Sequence, residues 1–157
     1  MRILVVSDTH RDGSALRRAV LCQPQAQAVI HLGDGVDEAS EVRLLHPGKM
    51  FLQVCGNCDW GSSLPREGNI VLEHRKIFYT HGHLYGVKYG MEKVKEAARA
   101  RKADVVLFGH THRALTEYDR GLYVMNPGSL CGGGATYGIL DITDAGIVTN
   151  IIKLPDR

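Results

Sequence analysis

Five short stretches of the chain gather residue types that bind metals: Asp8-Thr9-His10, Gly33-Asp34, Gly56-Asn57-Cys58-Asp59, His81-Gly82-His83 and Gly109-His110-Thr111-His112. Carboxylate, imidazole and amide oxygen form a mixed set of hard and borderline donors. Such a set suits Mn²⁺, Fe²⁺, Zn²⁺ or Ni²⁺ and discriminates little among them. Asp8 and His10 stand two residues apart, as do His110 and His112, so an extended backbone would aim each pair to one side. Asp8, His10, Asp34, Asn57, His81, His110 and His112 make seven candidate ligands. That is too many for one ion with open positions, and natural for two ions sharing a carboxylate. Paired ions clamp the attacking and leaving oxygens of a phosphoryl displacement. Taken singly, an Asp or His at a strand end is more often a cap or loop residue. The weight lies in the convergence.

Convergence requires elements that deliver the five stretches to one place. Apolar runs bounded by turn residues predict strands at Ile3–Val6, Ala28–Leu32 and Met50–Val54, with helices near Ser14–Gln23 and from a cap at Asp37 to Leu45. That βαβαβ order implies parallel strands with helical crossovers. Ile70–Leu72 and Lys76–Thr80 straddle His74-Arg75 and read as a hairpin. A helix is expected over Val87–Lys102, followed by strands at Val105–Phe108, Ala114–Tyr118, Leu122–Met125, Tyr137–Ile142 and Ile147–Leu154. Each metal-type stretch follows directly on a strand, and open α/β sheets bind ligands outside the carboxyl ends of their strands. The expected architecture is α/β, with two sheets face to face and helices outside, over a single domain spanning residues 1–157.

Cys55 and Cys58 form a Cys-x-x-Cys pair, which elsewhere marks a redox dithiol or half a zinc site. A redox pair normally opens a helix whose N-terminus lowers a thiol pKa, whereas Trp60-Gly61-Ser62-Ser63-Leu64-Pro65 are turn-formers. No second pair completes a four-cysteine zinc site. Cys55 is expected to be a small buried residue. His31, inside an apolar run, is expected to be a hydrogen-bonded core histidine, and His46 and His74 to be solvated. The basic residues of Lys93–Lys102 are expected to pair locally with Glu92 and Glu96 on a solvated helix face.

With 157 residues, 44% hydrophobic and 23% charged, the chain has the composition of an ordinary globular domain. A net charge of +2 points to no polyanionic partner. The opening apolar run is too short for a signal-peptide core and no stretch has transmembrane length, so the expected location is the cytoplasm, without a membrane partner.

The ordered set D-x-H, G-D, G-N-C-D, H-G-H and G-H-T-H resembles the calcineurin-like metallophosphoesterases, and within them the small bacterial and archaeal phosphodiesterases of the YfcE type. The likeness runs from Asp8 to the turn Asn126-Pro127-Gly128-Ser129. It implies a four-layer α-β-β-α sandwich with mixed sheets and a dinuclear metal site at the C-terminal strand ends. By that resemblance Asp8, His10 and His112 hold one divalent ion, Asn57, His81 and His110 hold the other, and Asp34 bridges them. Mn²⁺ is favoured, with Ni²⁺, Zn²⁺, Fe²⁺ or Mg²⁺ as alternatives. The implied reaction is hydrolysis of a small phosphodiester by a metal-bridging hydroxide, with Asn57 and His83 as candidate donors to the phosphoryl oxygens. Cys58 stands where many relatives have a leaving-group histidine, which disfavours phosphomonoesters because a thiol is a weak donor. His83 could instead hold a neighbouring ligand, and Asp59 could orient one. A non-catalytic scaffold of the same fold and a nuclease are the competing readings. A stable nucleic-acid partner is not expected, and homo-oligomerisation is left open.

Overall fold

The structure, a computed structural model, describes residues 1–156. Strand β1 (Arg2–Val6) leads through helix α1 (Gly13–Cys22) to β2 (Ala28–His31), and helix α2 (Val36–Leu45) leads to β3 (Met50–Gln53). These three strands are parallel and lie in register, Ile3 opposite Ala28 and Ala28 opposite Met50. The hairpin β4 (Glu67–Leu72) and β5 (Arg75–Thr80) turns at Glu73-His74, both with positive φ, as a two-residue turn requires. Helix α3 (Glu92–Ala100), β6 (Val105–Leu107), β7 (Leu115–Asp119), β8 (Leu122–Asn126), β9 (Thr136–Thr143) and β10 (Gly146–Lys153) follow.

Two mixed five-stranded sheets result, ordered β10-β9-β1-β2-β3 and β4-β5-β6-β8-β7. The alternation of side chains along each central strand explains how they stack. Ile3 and Val5 of β1 meet Ile77, Tyr79, Val105 and Leu107 of the other sheet. Their neighbours Leu4 and Val6 face the opposite way, onto Leu16, Ala19 and Val20 of α1 and Val42 of α2. Likewise Phe78 and Val106 turn outward onto Val94 and Ala98 of α3. Strands buried on both faces must be apolar throughout, which is why these runs lack the alternation of half-exposed strands. The layer order is therefore helix, sheet, sheet, helix, as the resemblance implies. Each buried Leu, Ile or Val contributes about 1.5–3 kcal/mol through burial, and this double-faced core fixes where the strand ends lie.

Three expectations shift at the helix ends. The α2 cap is Gly35, not Asp37: the Asp59 carboxylate accepts the first-turn N–H of Val36 (3.1 Å) from twenty-three residues away, so no local cap is needed. The helix expected from Val87 begins only at Glu92, because Gly86 (φ 58°) and Gly90 (φ 153°) interrupt it and His83–Tyr85 forms a separate short turn. The basic residues of α3 and its C-cap pair across to other elements: Lys95 with Glu117 (2.8 Å) and Asp119 (3.2 Å), Arg99 with Asp119 (3.3 Å), and Arg101 with Glu67 (3.1 Å) while stacking on Phe78. They tie the helix to its sheet instead of forming a solvated face. Among the described residues, no helix is long and apolar enough to cross a membrane.

Candidate metal centre

The carboxyl ends of β1, β2, β5 and β6 meet at one edge of the sandwich, where the two sheets touch through His81. This residue is fully buried just past β5, and its Nδ1–H donates to Leu32 O of the other sheet (2.7 Å). That bond fixes the tautomer and leaves a lone pair on Nε2. Around Nε2 stand Asn57 Oδ1 at 3.0 Å, His110 Nδ1 at 3.2 Å and Asp34 Oδ2 at 3.3 Å. A second group lies beside the first: His112 Nε2 is 3.1 Å from Asp8 Oδ1 and 3.2 Å from His10 Nε2. Asp34 Oδ2 lies between the groups, 3.9 Å from His10 Nε2. All seven predicted ligands are brought together. Asp8, His10 and His112 could hold one ion, as could Asp34, His81 and His110.

The donor chemistry fits a cation. Lone pairs converging at these separations repel one another unless positive charge sits among them. An ion that holds ligands about 2.1 Å away places neighbours at right angles about 3.0 Å apart. Electrostatics prepares Asp34 and His110 for that state. Burial works to raise the Asp34 carboxyl pKa, but hydrogen bonding and charge from His81 and the Cys58 N–H hold it well below the usual carboxylate range. Burial and the neighbouring His81 push His110 down to about 4, leaving its imidazole neutral at pH 7. Burial also lowers His83. For His81 burial opposes the charged form, yet the Asp34 and Asp8 carboxylates raise its pKa overall.

The backbone here is not extended. Asp8 (φ 55°), His10 (φ 42°), Asp34 (φ 56°), His110 (φ 70°) and His112 (φ 61°) all occupy the left-handed region. The two pairs therefore reach the cluster through left-handed turns and not through the extended backbone expected from their spacing. Each such residue costs about 1–3 kcal/mol and persists only where surroundings over-determine it. Here the Asp8 N–H donates to Gly33 O and the His10 N–H to Asp34 O, both at 3.0 Å. Three glycines permit the crowding. A Cβ on Gly33 would lie 2.6 Å from the Gly56 nitrogen, one on Gly56 would strike the Asp34 carboxylate, and one on Gly109 would strike Ser7 Oγ.

Several residues that shape the site escaped the sequence reading. Asp8 Oδ2 accepts from Ser7 Oγ and from the His110 N–H (3.0 Å), which turns Oδ1 toward the histidines. Ser129 Oγ donates to Asp8 O (2.8 Å), and Asn126 Nδ2 donates to Gly109 O (3.1 Å) and Thr111 Oγ1 (2.9 Å). Asp59, expected from the sequence as a residue that could orient a ligand, has the widest reach: its carboxylate accepts from the N–H groups of Asp34 (2.7 Å), Gly35 (3.0 Å), Val36 (3.1 Å) and Gly56 (2.7 Å). One side chain thereby joins the Asp34 turn to the Asn57 turn. Their only signal in sequence is a polar residue beside a ligand. His31 is the buried, hydrogen-bonded core residue expected. It accepts from the Gly33 N–H at Nδ1 (3.1 Å) and donates through Nε2 to Thr9 Oγ1 (3.1 Å), which donates to Glu38 (2.7 Å). His74 is exposed and His46 half-buried.

The thiols are free. Cys55 is buried with Sγ against Leu64 O (3.2 Å), and Cys58 is exposed beside the metal-type cluster. Burial and the Asp34 charge push the Cys58 thiol pKa up, opposite to an activated redox cysteine. The His83 ring lies tilted beside those of His81 and His110, centroids 5.4 and 6.1 Å away, and among the described residues its buried Nδ1 has no partner.

Comparisons with known proteins place the sequence and the fold in one family. Residues 1–145 match the family described as the calcineurin-like phosphoesterase superfamily domain. A probable metallophosphoesterase of Bacillus subtilis, YsnB, is 36% identical over 132 residues, covering 83% of this chain and 75% of that protein. The Escherichia coli phosphodiesterase YfcE is 27% identical, covering 100% and 94%. Vacuolar protein sorting-associated protein 29 of Schizosaccharomyces pombe is 32% identical, covering 98% and 84%. Among solved structures, a predicted phosphoesterase from Streptococcus pneumoniae superposes with a TM-score of 0.81 at 26% identity, covering 97% and 88%. By fold, by strand-end residues and by sequence, the chain belongs to the calcineurin-like phosphoesterase superfamily.

Proposed function

We propose that the protein hydrolyses small phosphodiesters with two divalent cations, Mn²⁺ favoured, held as the ligand geometry suggests: Asp8, His10 and His112 on one, Asn57, His81 and His110 on the other, Asp34 between. The observation that carries this reading is the convergence of the seven donors in one cluster, neighbouring donor atoms standing 3.0–3.9 Å apart. When bound, the cations supply charge neutralisation and an activated water for in-line attack on phosphorus. The protein's own part is orientation. Leu32 O fixes the His81 ring, Ser7 and the His110 N–H fix Asp8, and the Cys58 N–H fixes Asp34 through Oδ1 (2.8 Å), leaving Oδ2 for the cluster. Asn57 Nδ2 and the neutral His83 are the polar groups available to the phosphoryl oxygens. Cys58 offers only a weak donor to a departing oxygen, which favours diesters with good leaving groups over monoesters.

The test is a panel of esters on metal-stripped protein reloaded with Mn²⁺, Ni²⁺, Zn²⁺ or Mg²⁺. Bis(p-nitrophenyl) phosphate should turn over only after reloading, and faster than p-nitrophenyl phosphate. No turnover of any ester at full metal occupancy would favour a scaffold role, the reading that the likeness to the sorting protein keeps in play.

A further inference from the structure

The metal-type cluster opens on one side into a groove of about 520 Å³, within the range of small-molecule sites. Its inner end is His10, Asp34 and Cys58. Trp60 with Gly61 and Ser62 lines it, as do Arg11 and the first turn of α2, including Asp37. Trp60 is the only tryptophan in the chain and is 91% exposed. A large aromatic left almost wholly in water is uncommon on a surface with no partner. This one is not on a loose tail. Its neighbour Asp59 is bonded to both ligand turns, and Ser62 N donates to Asp59 O (3.3 Å). Leu64 N bonds Ser62 Oγ (3.1 Å), and the Cys55 N–H closes the loop on Pro65 O (2.9 Å). The backbone that carries the indole is thus anchored beside the cluster. In the same groove the exposed Arg11 side chain offers a cation, and the exposed Asp37 carboxylate an acceptor.

We infer that this groove receives a planar heteroaromatic ring, of the nucleobase type, carried by one ester group of the phosphodiester and stacked on Trp60. Resting on the phosphoesterase reading, this narrows the substrate class to nucleotide-like esters. Arg11 adds charge complementarity to the phosphoryl end, and Asp37 accepts from ring N–H groups. A ring π-face on an aromatic side chain strengthens binding by about ten-fold for one base. Substrates without a ring forgo that contact.

The test compares adenosine 5′-monophosphate with ribose 5-phosphate, which carries the same sugar and phosphate without the base. Both are titrated as inhibitors of bis(p-nitrophenyl) phosphate hydrolysis by the metal-loaded protein. The nucleotide should bind about ten-fold tighter; Trp60→Ala should erase that advantage while leaving ribose 5-phosphate unchanged, and Trp60→Phe should keep most of it. Tyr89→Ala, at an exposed aromatic outside the groove, should alter neither constant. Because Trp60 is the sole tryptophan, its fluorescence gives a second readout that needs no turnover: the nucleotide should quench it and ribose 5-phosphate should not. Equal inhibition by the two ligands, or an advantage that survives Trp60→Ala, overturns the groove assignment. Quenching by the nucleotide without any hydrolysis would uphold the groove and refute the phosphoesterase reading instead.

Discussion

Asp59→Asn separates positioning from ligation, because Asp59 donates no atom to the cluster. Its Oδ2 accepts from Asp34 and Gly56, and its Oδ1 from Gly35 and Val36. An asparagine retains one acceptor oxygen, so one pair of N–H donors loses its partner and meets an NH₂ group. Hydrogen bonds to charged groups contribute about 1.5–3 kcal/mol each. The site is only partly buried, and water can restore part of the loss, so the lower figure applies to each bond. Two bonds then give about 3 kcal/mol. With a urea slope of about 2 kcal/mol per molar, the midpoint for metal-free protein should fall by about 1.5 M. Both ligand turns lose their shared anchor, so metal affinity measured by calorimetric titration should drop about 10–100-fold at every site. An Asp59→Asn protein with unchanged midpoint and unchanged affinity would show that the carboxylate bonds do not hold the turns.

Asp34→Asn should weaken all metal binding together and abolish most hydrolysis, since one carboxylate serves both groups; full metal content by elemental analysis with retained activity would refute the shared position. Cys58→His should raise turnover of alkyl esters more than aryl ones, measured at equal metal occupancy, because only poor leaving groups gain from a better donor; equal gains would place residue 58 away from the leaving group. His31 predicts a pH effect. Its folded pKa is about 4, lowered chiefly by burial, against about 6.5 unfolded. The unfolded state therefore takes up the proton first as pH falls, and stability declines between about pH 6.5 and pH 4 by about 3 kcal/mol. Protonation at Nδ1 would also oppose the Gly33 N–H. In metal-free protein, His31→Gln should flatten the urea-midpoint profile over that range by one proton's worth; parallel profiles would contradict the assignment.

Much of the site was legible because it depends on residue type at strand ends. Buried parallel strands show as unbroken apolar runs, and the polar residue that follows each must lie at the sheet's edge. The family likeness then assigned partners that spacing alone could not. What stayed hidden is long-range. Nothing local to Asp59 announces that it bonds the turn at Asp34–Val36, and nothing near Gly35 says that a helix cap arrives from another loop. The left-handed backbone of Asp8, His10, His110 and His112 is equally unreadable, since it is imposed by contacts such as Asp8 N–H to Gly33 O. The late start of α3 was readable in part: Gly86 and Gly90 were visible breakers in an otherwise helical pattern. The partners of Lys95, Arg99 and Arg101 could be known only once β4 and β7 were placed.

The central claim is that the seven donors bind two cations that act together on a phosphodiester. Its most direct test is a titration of metal-stripped protein with Mn²⁺, in which bound metal and bis(p-nitrophenyl) phosphate hydrolysis are measured on the same samples. Two equivalents should bind per chain, with turnover rising steeply only as the second equivalent fills. Saturation at one equivalent with full activity, or two equivalents bound with no turnover, would contradict it.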